Sequence, residues 1–193
     1  MGNVRIAIFA SGSGTNAERI ILHFQNHASI QVALLLSNKE NAFVLERAKK
    51  LNIPSRTFNR QQFKESDVVL NWLKEEKITH IVLAGFMWLM PESIIKNFPD
   101  RIINIHPALL PKYGGKGMYG HHVHDAVKTA NEKETGITIH LVNEKYDDGR
   151  ILFQDSCSIS PNDKPDQIAE KVHALEYEHY PRLIEKWVLN YKL

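Results

Sequence analysis

The chain is poor in several things that would narrow its function at once. It has one cysteine among 193 residues, Cys157, so no internal disulfide can form, and a reducing compartment is the expected setting. Cys157 lies in an alternating run, "FQDSCSIS", and is expected to be an ordinary buried residue. The apolar run near the N-terminus is about six residues, far short of the roughly 20 that cross a bilayer. No targeting segment stands out, which makes the cytoplasm the expected location. Gly2 would suit an N-terminal acylation signal, but a strand-like run begins almost immediately after it. Charge of neither sign dominates: 24 basic residues face 22 acidic ones, for a net +2. Nucleic acid and membrane surfaces are therefore not expected partners. Internal repeats and low-complexity stretches are absent. There is no Gly-Lys-Ser/Thr after a Gly-rich loop and no G-x-S-x-G elbow, so a Walker-type loop and a serine acyl-enzyme route both lack support.

What is present is alternation. "VRIAIFA" (4–10), "IQVALLLSN" (30–38), "HIVLAGF" (80–86) and "RIINIH" (101–106) are short apolar, β-branched runs of buried-strand type. Between them lie runs with helical spacing at 16–27, 41–53, 66–77 and 91–99, the last opening on Pro91. Strand–helix alternation over a hundred residues predicts a three-layer α/β fold with a parallel sheet and right-handed crossovers. Beyond 107 the rhythm changes to a Gly-rich loop, a helix at 121–131, two strand-like runs at 136–142 and 150–159 that extend the sheet, and a helix at about 164–189. That last helix carries Ile168, Val172, Leu175, Leu183, Ile184 and Trp187 at helical spacing. A single domain of 1–193 is expected.

Four stretches carry candidate chemistry. "ASGSGTN" follows a strand and opens a helix, where free backbone amides and the helix dipole favour an anion; the alternative is a plain tight turn. Asn104 and His106 are two apart at the end of a strand, so they share one face while Ile103 and Ile105 share the other. Ligands of open α/β sheets bind beyond the carboxyl ends of strands, and an amide with an imidazole can hold a developing oxyanion and move a proton. A buried, satisfied Asn–His pair is the plainer reading. "NEKYDDGR" sets Asp147 and Asp148 before Gly149 between two strand-like runs, as either a hairpin turn or a carboxylate that orients an imidazole; local sequence does not choose between the two aspartates. "KYGGKGMYGHHVH" is a Gly-rich substrate-loop candidate. His122 and His124 within it lack the partners that zinc-type spacing requires, and no metal is expected.

Taken together, "FASGSGTN", "SNKENAFVLERAKKLNIP", "VLAGFMWLM", "INIHPALLPKYGG", "GITIHLVNEKYDDGRILFQ" and "LEYEHYPRLIEKW" occur in the order that marks the phosphoribosylglycinamide formyltransferases, and the chain resembles that family over nearly its whole length. The resemblance implies a mostly parallel, Rossmann-like sheet with helices on both faces. It implies formyl transfer from 10-formyltetrahydrofolate, as cosubstrate, to glycinamide ribonucleotide in purine biosynthesis. Partners would be these small molecules, with the protein a monomer or homodimer. The related alternative is another formyltransferase, or a hydrolase of formyltetrahydrofolate. Methionyl-tRNA formyltransferases carry an added C-terminal domain and formyltetrahydrofolate deformylases an added N-terminal one, and neither addition fits this sequence. Carried over by residue, the resemblance makes Asn104, His106 and Asp147 catalytic, with the spacing from His140 selecting Asp147. Gly14, Thr15 and Asn16 hold the substrate phosphate, and Glu176 contacts the ribonucleotide; without the resemblance Glu176 would count as part of a solvated helix face. Met87, Trp88, Leu89 and Met90 line the folate pocket with Asn143, Glu144, Lys145 and Tyr146. Residues 1–100 form the phosphate-binding half and 101–193 the catalytic and folate-binding half. Trp88 stands where a basic residue is common, and the 113–124 loop is longer than in the best-known members. Asp147 is expected to favour the charged form of His106.

Overall fold

The computed structural model describes residues 3–190; Gly2 lies outside them. Seven strands form one sheet in the order β3-β2-β1-β4-β5-β6-β7. β1 (Val4–Phe9), β2 (Ile30–Ser37), β3 (Ser55–Thr57), β4 (His80–Leu83) and β5 (Ile102–His106) run parallel. β6 (Glu134–Leu141) and β7 (Ile151–Ser158) add an antiparallel hairpin beside β5. The change of rhythm after residue 107 is thus the change from crossover helices to a hairpin, which needs only a short loop. No helix among the described residues is long and apolar enough to cross a membrane.

The central strands are apolar on both faces because both are covered. On one face Ile6, Ile8, Leu35, Ile103, Ile105, Ile137 and Ile139 pack with α1 (Thr15–Phe24), α2 (Phe43–Lys50) and α7 (Pro165–Asn190). On the other, Ala7, Phe9, Leu34, Ile81 and Ile102 pack with Phe63 of α3 (Arg60–Lys64), Val69, Leu70 and Leu73 of α4 (Val68–Glu75), and Ile94 of α5 (Glu92–Asn97). α6 (His121–Thr129) buries Val123 and Val127 against Ala108. In α1 the buried residues are Ala17, Ile20, Ile21 and Phe24, the set its spacing marks.

Two elements have no counterpart in the sequence reading. β3 has three residues and α3 five, too short for a period of 2 or 3.6 to register. α3 is fixed instead by a reciprocal cap: the Asn59 side chain accepts from the Gln62 amide and the Gln62 side chain from that of Asn59, both at 2.9 Å. Cys157 is half-buried rather than buried, because β7 is the edge strand and only one of its faces packs on the core.

The turn after β1 is tied on three sides. The Ser11 amide donates to the Gly85 carbonyl at 3.0 Å, the Ser11 hydroxyl to Asn38 Oδ1 at 2.6 Å, and the Met87 amide to the Ser11 hydroxyl at 3.2 Å. Gly14 sits at φ 75° as the N-cap of α1, and a Cβ there would stand 2.2 Å from Val44 Cγ2. Both the left-handed backbone and the closeness of α2 require glycine.

Candidate active site

A cavity of about 620 Å³ opens at the carboxyl ends of β1, β4 and β5, the position expected of an open α/β sheet. Its walls come from five segments distant in sequence. Gly12 to Asn16 bring the start of α1, Gly85 to Met90 the turn after β4, Gly115 to Gly120 the Gly-rich loop, Lys145 to Asp147 the β6–β7 connection, and His173 with Glu176 the α7 wall.

Asn104 and His106 reach this cavity together, and Ile103 and Ile105 face the core on the opposite side. Between them stands Asp147, folded back from the β6–β7 loop at φ 52°. One carboxylate oxygen lies 3.5 Å from His106 Nδ1 and accepts from the Gly115 amide at 2.9 Å. The other lies 3.5 Å from His140 Nε2 and from Asn104 Nδ2. Asp148 is exposed and pairs instead with Lys145 at 3.7 Å and Asn143 at 3.4 Å. The segment closes the β6–β7 hairpin, and its first aspartate turns inward toward His106 and His140.

The Gly-rich loop is tied to this group at two points. The Tyr113 carbonyl accepts from His106 Nε2 at 2.7 Å, and the Gly115 amide reaches Asp147. The ring of His106 is 3% exposed. Burial lowers its pKa, and this outweighs the opposing pull of Asp147 and of the Tyr113 carbonyl. The carboxylate acts in the expected direction, but desolvation of the ring is the larger effect. Asp147 itself is held below the usual carboxylate range: burial works against this, but contacts with His140, His106 and the Gly115 amide prevail.

Glu176 is 6% exposed, which corrects its reading as part of a solvated helix face. Helical spacing carried the signal: Glu176 stands four residues after Val172 and four before Tyr180, on the buried stripe of α7. Asn16 Nδ2 donates to Glu176 Oε2 at 2.8 Å, while Asn16 Oδ1 is buried with no protein partner. Burial pushes the Glu176 carboxyl up to about 7 from 4.5, and the Asn16 amide offsets only part of the effect. The folded chain keeps this proton up to about pH 7, whereas the unfolded chain releases it near 4.5. Stability at this group is therefore fully present below about pH 4.5, falls as pH rises to 7, and is level above that. The span corresponds to about 3 kcal/mol at 1.36 kcal/mol per pH unit. Glu176→Gln keeps an acceptor for Asn16 and removes the titration. Urea unfolding is expected to show the variant gaining on wild type from pH 4.5 to 7, by about that amount at pH 8. Parallel pH curves for the two proteins would refute this.

Of the residues assigned to a folate pocket, Met87, Trp88, Leu89, Met90, Lys145 and Tyr146 line the cavity, whereas Asn143 and Glu144 do not. Asn143 instead accepts the Lys145 amide at 2.9 Å and shapes the turn. Trp88 packs among Phe58, Phe63 and Phe86, with ring centroids 5.8–6.4 Å apart, so an apolar ring stands where a cation is common. His124 and His173 also line the cavity, as His140 does. Polar alternation in "GITIHLV" would have put Thr138 and His140 on one face, but only strand pairing shows that this face is shared with Asn104. Among the described residues no cluster suited to a metal ion occurs.

The formyl transferase family model matches residues 4–184. A phosphoribosylglycinamide formyltransferase of Haemophilus influenzae is 34% identical over 98% of this chain and 89% of its own length. The chain belongs to the phosphoribosylglycinamide formyltransferase family. The chloroplastic phosphoribosylglycinamide formyltransferase of Arabidopsis thaliana is 37% identical over 93% of the chain, which spans 64% of that protein. In structure, the phosphoribosylglycinamide formyltransferase of Bacillus halodurans superposes with a TM-score of 0.86 at 38% identity, covering 96% of each chain. That superposition extends over the mostly parallel sheet and added hairpin described above.

Proposed function

We propose that this enzyme transfers the formyl group of 10-formyltetrahydrofolate to the amine of glycinamide ribonucleotide, by direct attack and without a covalent enzyme intermediate. The observation that carries the reading is the meeting of Asn104, His106 and Asp147 at the floor of one cavity that also contains the N-terminus of α1. The cavity suits two ligands of different character. Gly14, Thr15 and Asn16 offer a helix N-terminus for a phosphate. Glu176 and the unpartnered Asn16 Oδ1 beside them suit the hydroxyl or amine groups of a sugar-linked acceptor. Met87 to Met90 and Tyr146 supply apolar and aromatic walls for a flat heterocycle.

In this reading the phosphate anchor holds the amine against the formyl carbon, which removes an entropic part of the barrier. Attack by the amine moves charge onto the formyl oxygen. Asn104 Nδ2 donates to that oxygen, and His106 supports it as the growing negative charge raises the affinity of the ring for a proton. Asp147, already ionised, holds the imidazolium as it forms. The proton lost by the attacking amine ends on N10 of the departing folate, and His106 with Asp147 are placed to relay it, directly or through water. No metal takes part. Residues 1–100 then supply the phosphate anchor and Met87 to Met90, while later residues supply the reacting groups.

The test mixes the protein with 10-formyltetrahydrofolate, with and without glycinamide ribonucleotide, and follows loss of the formyl group. Loss that requires the ribonucleotide is expected. Loss without it identifies a hydrolase, and no loss in either mixture rejects the reaction.

A further inference from the structure

The strand register sets Asn104 directly opposite His140 across the antiparallel β5–β6 pair. Their side chains share the sheet face that carries His106, and the cross-strand spacing puts them in contact. His140 Nε2 lies 3.2 Å from Asn104 Nδ2, and its Nδ1 lies 2.8 Å from the carbonyl oxygen of Leu141. The ring is 2% exposed, so these contacts are not exchanged for water.

We propose that His140 is a positioning residue that sets which way the Asn104 amide points, and hence whether the site offers a donor or an acceptor to the reacting oxygen. A carbonyl oxygen can only accept, so Nδ1 of His140 carries the hydrogen. In the neutral ring Nε2 is then a bare acceptor; of its two near neighbours, Asp147 Oδ1 at 3.5 Å has no hydrogen to give, so it selects the NH₂ end of Asn104 at 3.2 Å as its partner. That places both N–H bonds of the amide on the inner side, one toward His140 and one toward Asp147 Oδ1, where the reacting oxygen can take over the second. The opposite tautomer would set two lone pairs against each other at the Leu141 carbonyl. It would also turn the Asn104 oxygen inward, where it would repel an oxyanion.

The backbone around His140 is built to keep that carbonyl in place. The Leu141 amide donates to the Arg150 carbonyl at 2.9 Å. Gly149 passes so close that a Cβ there would stand 1.7 Å from the Leu141 oxygen and 3.5 Å from His140 Nδ1. A side chain at 149 would displace the acceptor that fixes the tautomer. The Gly in "DDGR" is thus required by this contact.

The inference rests on the reading of Asn104 as an oxyanion donor, and two measurements separate the two. The first is the ¹⁵N spectrum of the His140 ring in the wild-type protein at pH 8, assigned by its loss in His140→Gln. A hydrogen on Nδ1 and a bare Nε2 are expected; an Nε2–H tautomer or a doubly protonated ring overturns the inference, whatever the enzyme turns over. The second is a double-mutant cycle on kcat. His140→Leu is expected to lower kcat by roughly 10²-fold, the scale of losing the donor itself, with KM for both substrates within about twofold. His140→Gln, whose side-chain oxygen can replace Nε2 as acceptor, should recover most of the loss. Combined with Asn104→Ala, His140→Leu should add nothing further, because its effect passes through Asn104. Additive losses, or equal activity of the Leu and Gln variants, overturn the inference. If His140→Leu does not fold, His140→Ala takes its place in the cycle, and the spectrum still decides.

Discussion

Asp147→Asn is expected to lower kcat by about 10²–10⁴-fold, the range associated with a positioned proton-transfer group, while Asp148→Asn stays within a few-fold of wild type. The two residues are adjacent and chemically identical, so the contrast isolates geometry. Asp147 is about one-tenth exposed at its side chain, touches His106, His140 and Asn104, and accepts the Gly115 amide; Asp148 is more than half exposed and meets Lys145 and Asn143. Replacing one Asp147 oxygen by an amide nitrogen removes the charge that would hold an imidazolium at His106. It also turns a donor toward either the Asn104 amide or the Gly115 amide, each of which is already a donor. Steady-state kinetics with saturating amounts of both substrates measure the effect, and circular dichroism checks the fold. Equal losses in the two variants would show that the wrong carboxylate has been assigned.

Asn104→Ala and His106→Ala are each expected to lose roughly 10²–10³ in kcat, as removal of one oxyanion donor typically does. KM should move much less, because the proposed phosphate and folate contacts lie on other segments of the cavity wall. The two variants differ in one respect. Asn104→Ala removes a donor and leaves His106 against Tyr113 and Asp147, so the dependence of rate on pH keeps its shape. His106→Ala removes the group whose proton affinity is held down by burial, so any acidic limb that belongs to His106 disappears. Near wild-type turnover in either variant, with an unchanged circular dichroism spectrum, would remove that residue from the proposed mechanism.

The sequence by itself determined the α/β class, the strands that carry the core, and the face shared by Asn104 and His106. Each of these depends on a local period: two along a strand, 3.6 along a helix. The same periodicity marked the buried residues of α1 correctly. The missing elements, β3 and α3, were shorter than any period that could reveal them. The family resemblance was legible because its motifs are contiguous runs in a fixed order.

Only the tertiary structure decided which aspartate turns inward, because Asp147 and Asp148 differ in loop conformation and not in pattern. It supplied the partner of Glu176, the Asn16 amide 160 positions away, although helical spacing from Val172 already put Glu176 on the buried stripe of α7. It set the expected pull of Asp147 on His106 against desolvation, a property of the whole surrounding shell, which is the larger of the two. It also brought His140 opposite Asn104. A strand's own period says which residues share a face, but the register with its neighbour fixes which of them meet, and that register is set by pairing between positions 36 apart in the chain.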